Sequence, residues 1–232
     1  MSVALVLAGG QSRRMGTDKL TLHLAKDASS SGFDNVTILQ HVTSVCKMVS
    51  DHVWLLTSPD AARVVNQLAT NRLDTGADIR TLADERFYEG PLRALGHAWP
   101  QICEQSADAE RTLPKADLPV LVVAGDLPGL RQEVLLACKE KLEHGADDID
   151  AVLVTRGDML QPLLGCYRSR AGHVFVDAAL QGQKRLLPAL RDLSVETISS
   201  EAYGWPEWWT RPVHTPRDYE EWLMTGGAGI SG

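Results

Sequence analysis

The segment Leu7–Lys19, LAGGQSRRMGTDK, sets two adjacent glycines close to two arginines and a lysine. Gly9 and Gly10 carry no Cβ, so backbone N–H groups there can close on an anion. Arg13, Arg14 and Lys19 supply the charge and the forked donors that clamp a triphosphate. The loop is not of the Walker type, since Asp18-Lys19 stands where GK[ST] would be, and GxGxxG spacing is absent. The competing reading of the same residues is a tight turn with a solvated basic tip. Two carboxylates stand in comparable settings, Asp84 after Ile79–Ala83 and Asp126 after Leu118–Ala124. A carboxylate so placed can ligate a divalent cation or contact a nucleoside, though a turn cap uses the same residue.

The elements that would position these groups follow from apolar patterning. Val3–Ala8 is a short, uninterrupted apolar run, as expected of a strand buried on both faces. Similar runs predict strands at His52–Thr57, Ile79–Ala83, Leu118–Ala124 and Asp150–Thr155. Helical spacing predicts helices over 36–49 (with Asp34 or Asn35 as N-cap), Pro59–Ala69, Pro91–Ile102 and Gln132–Glu143. Residues 104–117 read as a polar surface excursion. Alternation of this kind predicts a three-layer α/β/α sandwich around a mostly parallel sheet. Ligands in such folds lie beyond the carboxyl ends of the strands, which gathers the Gly9–Lys19 loop, Asp84 and Asp126 on one rim.

Composition narrows the possible functions. The chain has 232 residues, 44% of them apolar and 23% charged, with a formal charge of −7. That balance disfavours a long nucleic-acid interface, which needs a basic face, but permits a small anionic ligand. No apolar run approaches a membrane span. MSVALVLAGG lacks the basic region and cleavage site of a signal peptide, so a first strand and a cytoplasmic location are expected. Cys46, Cys103, Cys138 and Cys166 are widely spaced, without CxxC or zinc-ligand spacing, and are expected to be buried thiols. One domain over residues 1–225 is expected, with 226–232 a flexible Gly-rich tail. Trp205, Trp208 and Trp209 are expected to bury against a sheet edge.

The loop string resembles the LAGGxSxRMGxDK signature of the nucleotidyltransferase superfamily that includes molybdenum cofactor guanylyltransferases, cytidylyltransferases and sugar-nucleotide pyrophosphorylases. LAGG paired with RMGxDK is most similar to the molybdenum cofactor guanylyltransferases. Later segments resemble the family in the same order: LADERFYEGPL (82–92), VLVVAGDLPGL (120–130), QPLLGCYRSRAG (161–172), LQGQKRLLPAL (180–190) and RPVHTPRDYEEW (211–222). The resemblance covers about residues 2–223. It implies a Rossmann-like fold of the nucleotide-diphospho-sugar transferase type and transfer of GMP from GTP to the phosphate of molybdopterin, releasing pyrophosphate. The same resemblance implies Mg2+ as cofactor, with Asp126 as its ligand. Lys19 and Arg14 would hold the triphosphate, while Leu7, Ala8, Gly9, Gly10 and Asp84 would contact the nucleotide. Arg185, Gln161, Pro162 and His214 would border the acceptor, and delivery or acceptor proteins could be partners.

Three departures from the family pattern stand out. GPLAG reads Gly90-Pro91-Leu92-Arg93-Ala94, His214 stands where an asparagine is expected, and residues 25–35 form a polar insertion. They keep open a cytidylyltransferase or another nucleotidyltransferase, and also a non-catalytic nucleotide-binding module. An oxidoreductase is disfavoured by the missing GxGxxG.

Overall fold

The computed structural model describes residues 2–8, 22–25, 36–57, 78–83, 90–107 and 117–226. The loop residues 9–21, most of the insertion, the helix expected over 59–69, Asp84 and the tail beyond 226 lie outside them. The strands are β1 (Val3–Leu7), β2 (His52–Thr57), β3 (Asp78–Ala83), β4 (Pro119–Ala124), β5 (Ala151–Arg156), β6 (Met159–Arg168) and β7 (Val195–Ser199). The helices are α1 (Ile38–Val49), α2 (Pro91–Ala107), α3 (Gln132–His144), α4 (Gly172–Leu180), α5 (Leu186–Ala189) and α6 (Pro216–Glu221).

Strands join in the order β3-β2-β1-β4-β6-β5-β7. β3, β2, β1 and β4 are mutually parallel and β5 is parallel to β7; β6 alone runs against both its neighbours. The sheet is therefore mostly parallel, as expected. Successive strand residues point to opposite faces, and each face has its own core. Ala4, Val6, Val53, Leu55, Leu121 and Val123 pack with α1 and α3. Val3, Leu5, Trp54, Leu56, Val120 and Val122 pack with α2 and α4. Helices thus cover both sides, which is why these strands are apolar throughout.

α1 starts later than the sequence suggests. Its N-cap is Thr37, whose hydroxyl accepts from the Gln40 amide while the Gln40 side chain accepts from Thr37 N–H. This reciprocal box satisfies two orphan donors at once, an advantage neither Asp34 nor Asn35 has in that spacing. α2 also runs on to Ala107, past the limit expected at Ile102.

Beyond Thr155 apolar patterning marks no element, yet the structure has two strands, β6 and β7, and three helices, α4, α5 and α6, there. β6 is interrupted by Gln161, Pro162 and Gly165, and its pairing with β5 shifts between Leu153 and Val154. Such a bulge scrambles the period of 2. α4 runs antiparallel to α2, with Gly96 against the Phe175 carbonyl and Gly172 under the Trp99 ring. Trp99, Tyr167 and Phe175 interlock edge to face at centroid distances of 5.1–6.1 Å, and the Trp99 indole N–H donates to the Ser169 carbonyl at 2.8 Å.

Cys46, Cys138 and Cys166 are buried and Cys103 is half-buried, all as thiols. Trp205, Trp208 and Trp209 are half-buried against the core on the α1/α3 face. Among the described residues no helix is long and apolar enough to cross a membrane.

Candidate nucleotide site

Parallel strands joined through helices put every strand's carboxyl end, and the start of each connecting helix, at one rim. In the register observed, Leu7 lies beside Leu56 and Ala124, and Thr57 beside Ala83. The carboxyl ends of β3, β2, β1 and β4 accordingly lie along one rim in that order, with the end of β2 between those of β3 and β1. Of the expected site residues, Gly9, Gly10, Arg14, Lys19 and Asp84 (and Arg13) lie outside the described residues. Leu7, Ala8, Asp126, Gln161, Pro162, Arg185 and His214 lie within them.

Asp126 sits in a turn held on several sides. Gly125 N–H donates to the Leu7 carbonyl at 3.0 Å, and Ala8 N–H donates to Leu56 at 2.8 Å. An added Cβ at Gly125 would stand 2.9 Å from the Leu7 oxygen, and one at Gly129 2.5 Å from the Trp208 oxygen. Glycine at both positions lets the turn fit between the end of β1 and the Glu207–Trp209 turn. His41 of α1 clasps its far end, Nε2 donating to the Leu130 carbonyl at 2.9 Å. Burial lowers the pKa of His41, outweighing the opposite effect of that bond, and favours a neutral ring. Leu127 and Leu130 anchor the turn in the core.

The segment carrying His214 docks on this turn. Val213 N–H donates to the Asp126 carbonyl at 2.9 Å, and His214 Nδ1 lies 3.4 Å from Asp126 Oδ2. The Asp126 side chain is 21% exposed and that of His214 58%, so the pair faces the rim with solvent access. Asp218 fixes the segment from behind. Its carboxylate accepts from the His214 amide at 3.1 Å, the Thr215 amide at 2.8 Å and the Thr215 hydroxyl at 2.8 Å. Burial opposes ionisation of Asp218. The hydrogen bonds from Thr215 and His214, with Arg211, outweigh it and hold the pKa at about 2. Arg211 also makes two 2.8 Å bonds to Glu221 and lies over the Trp208 ring at 4.4 Å.

The opposite face of the rim is cationic. α2 begins there, and an added Cβ at Gly90 (φ 103°) would meet the Lys184 carbonyl at 2.8 Å. The turn before α5, with Lys184 and Arg185, therefore abuts the first turn of α2. Arg93, one of the departures, is half-buried and directs its guanidinium toward Gly182 in that turn. Arg185 is exposed. A helix N-terminus beside such cations favours an anion. The spacing of the sequence alone does not reveal this meeting of Arg93 with residues 182–185.

Gln161 lies on the part of β6 that projects past the end of β4, beyond the Val123–Leu164 pair. Its Nε2 is buried without a hydrogen-bond partner, and an unmet buried donor costs roughly 1–3 kcal/mol. Pro162 next to it accepts the Tyr167 hydroxyl at 2.6 Å. The β5–β6 tip is fixed to the 199–204 turn by Gly157 N–H donating to Glu201 Oε1 at 2.8 Å.

A mostly parallel sheet covered by helices on both faces, with a carboxylate in the turn after β4, defines an α/β protein. A sequence model of the MobA-like NTP transferase domain matches residues 4–196, and the chain belongs to that family. A probable molybdenum cofactor guanylyltransferase of Synechococcus elongatus is 28% identical over 223 residues, covering 94% of this chain and 95% of the relative. One from Methanothermobacter thermautotrophicus is 29% identical over 195 residues, covering 84% and 83%. Among solved structures, molybdopterin-guanine dinucleotide biosynthesis protein A from Archaeoglobus fulgidus superposes with a TM-score of 0.70 at 19% identity, over 97% of this chain and 99% of that one. The 4-diphosphocytidyl-2C-methyl-D-erythritol synthase of Anaerococcus prevotii gives a TM-score of 0.58 at 12% identity, over 97% of each chain. At these identities the structures speak for the fold.

Proposed function

We propose that the chain is a single nucleotidyltransferase domain, residues 1–225, that transfers GMP from GTP to the phosphate of molybdopterin and releases pyrophosphate. Family membership and the names of the relatives support the substrates. The observation that carries the reading is the bonding of the Asp126 turn to Leu7, where the Gly-rich loop departs. A carboxylate fixed to the root of a phosphate-type loop is what a metal–triphosphate site requires.

In this reading an acceptor phosphate oxygen attacks the α-phosphorus of GTP. The new P–O bond forms as the bond to the β-phosphate breaks, and pyrophosphate leaves. The attacking oxygen is already ionised, so no general base is needed, and the protein contributes alignment and charge neutralisation. Leu7, Ala8, Gly9 and Gly10 present backbone groups to the nucleotide and Asp84 contacts its base or ribose. Arg14 and Lys19 hold the triphosphate, and Lys19 offsets charge on the departing pyrophosphate. Arg185, joined by Arg93, receives the acceptor phosphate, and Gln161 and Pro162 border the acceptor.

Among the described residues no three His, Cys, Asp or Glu side chains gather into a metal cage. A partly exposed carboxylate such as Asp126 fits a cation such as Mg2+, which takes most of its ligands from phosphate and water and needs one or two from protein. Asp126 would hold it, and when bound it would offset negative charge on the phosphates. The reading carries with it a cytoplasmic location and proteins that deliver or receive the acceptor.

The test is calorimetric binding of GTP, CTP, ATP and UTP with and without Mg2+, for the wild type and Asp126→Ala. Mg2+-dependent binding of GTP, weakened at least tenfold in the variant, is expected. Preference for CTP would replace the substrate, and failure to bind any triphosphate would overturn the enzyme reading.

A further inference from the structure

The pairing of Asp126 with His214 goes beyond one carboxylate. We propose that His214 is a second protein ligand for the divalent cation at Asp126, and that its nitrogen shifts the site's preference from magnesium toward manganese(II) and cobalt(II). This rests on the reading of Asp126 as the metal ligand.

Distance, anchoring and chemistry each support it. Ligands at about 2.1 Å from one cation stand about 3.0 Å apart across a right angle and about 3.4 Å apart across a tetrahedral one. His214 Nδ1 and Asp126 Oδ2 are 3.4 Å apart, a separation one cation can bridge with little movement. The backbones are tied as well, through Val213 N–H to the Asp126 carbonyl and His214 N–H to the Asp218 carboxylate. Both contacts act on main chain and hold the two side chains on the same side of the turn. The ring is more than half exposed, so a hydrated cation can reach it. Magnesium binds oxygen and gives up water reluctantly, whereas imidazole suits the later divalent ions. A carboxylate with an imidazole therefore discriminates among cations where a carboxylate with an amide oxygen would not.

A plain hydrogen bond from the ring to Asp126 is the competing arrangement, and spectroscopy separates the two. Manganese(II) and GTP are added to the wild type, His214→Asn and Asp126→Ala. Bound metal is measured by the loss of the free-ion paramagnetic signal, and nitrogen coordination by electron spin-echo modulation. The wild type is expected to show 14N modulation from a bound imidazole. His214→Asn is expected to lose it, with manganese affinity falling about tenfold or more, as loss of a ligand contact does, and magnesium affinity changing less than twofold. Its thermal midpoint should match the wild type, because the side chain is exposed. Absence of nitrogen modulation in the wild type overturns the proposal, as does an unchanged manganese-to-magnesium ratio in His214→Asn. Undiminished manganese binding by Asp126→Ala overturns instead the metal reading on which it rests. Loss of binding there with no effect of His214→Asn removes only the role of His214.

Discussion

Replacing Gly125 by alanine adds one methyl group at the point where β1 and β4 release their chains toward the site. The backbone of Gly125 is not among the positive-φ glycines, so alanine meets no torsional objection and the effect is one of space. The new Cβ would lie 2.9 Å from the Leu7 oxygen and 3.2 Å from Leu39 Cδ1, where ordinary contact begins near 3.4 Å. The leucine methyl can turn aside. The carbonyl belongs to a strand paired on both edges and can only move with it. A gap of about 0.5 Å must open between the Asp126 turn and the root of the Gly-rich loop. Overpacking of this kind costs roughly 1–3 kcal/mol, offset by roughly 0.4–1 kcal/mol from the stiffer unfolded chain. A net loss of about 1–2 kcal/mol is expected in urea denaturation, at unchanged m. Since a 1 Å misplacement can cost about a hundredfold in rate, half of it should lower kcat/KM about tenfold, read as pyrophosphate release. Gly157→Ala is the control: with φ 55° and no atom within 4 Å of the new methyl, it should lose about 1 kcal/mol of stability and no activity. Wild-type kcat/KM and midpoint in Gly125→Ala would refute the claim that this contact sets the spacing of the site.

Arg211→Ala should cost about 1–2 kcal/mol, because it removes a guanidinium shared among Glu207, Asp218 and Glu221 and lying over Trp208. Hydrogen exchange should rise over 207–225 while β4 stays protected, and equal exchange in both regions would contradict a local role. Burial raises the Cys138 thiol from 9.0 to about 12, so its contribution to stability is complete below pH 9 and is lost as pH climbs toward 12. Wild type should lose stability faster than Cys138→Ala between pH 9 and 10.5 in urea titrations, and parallel slopes would disprove the assignment.

The first half of the fold was legible because its strands are buried on both faces. VALVL, HVWLLT and PVLVVA can be little else, and parallel order then places their carboxyl ends together. The second half was less so, for particular reasons. β6 contains a proline and a bulge beside Gln161, and β7, VETIS, is a sheet-edge strand with polar alternation. α4 opens on a glycine that is there to fit Trp99 and not to favour a helix. The site divides along the same line. Asp126 is marked by the strand before it, whereas the approach of His214 depends on a segment 88 residues later in sequence folding back, which no local pattern encodes. The contact of Arg93 with the 182–185 turn is likewise a product of helix packing.

That distant return has a consequence for how the protein comes into being. Trp222 donates to the Leu24 carbonyl and Tyr219 to that of His23, spanning 198 and 196 residues. These bonds hold the stretch that delivers His214, and they can form only after nearly everything between has been translated. At roughly 5–20 residues per second, a nascent chain spends about 4–18 seconds with β1, its loop and Asp126 already made but His214, 88 residues on, still absent. If Asp126 and His214 share a cation as proposed, the chain would carry the first of these ligands before it carries the second. On that reading, competence for nucleotide transfer would be conferred late, when the C-terminal segment closes on the His23–Leu24 stretch laid down near the start.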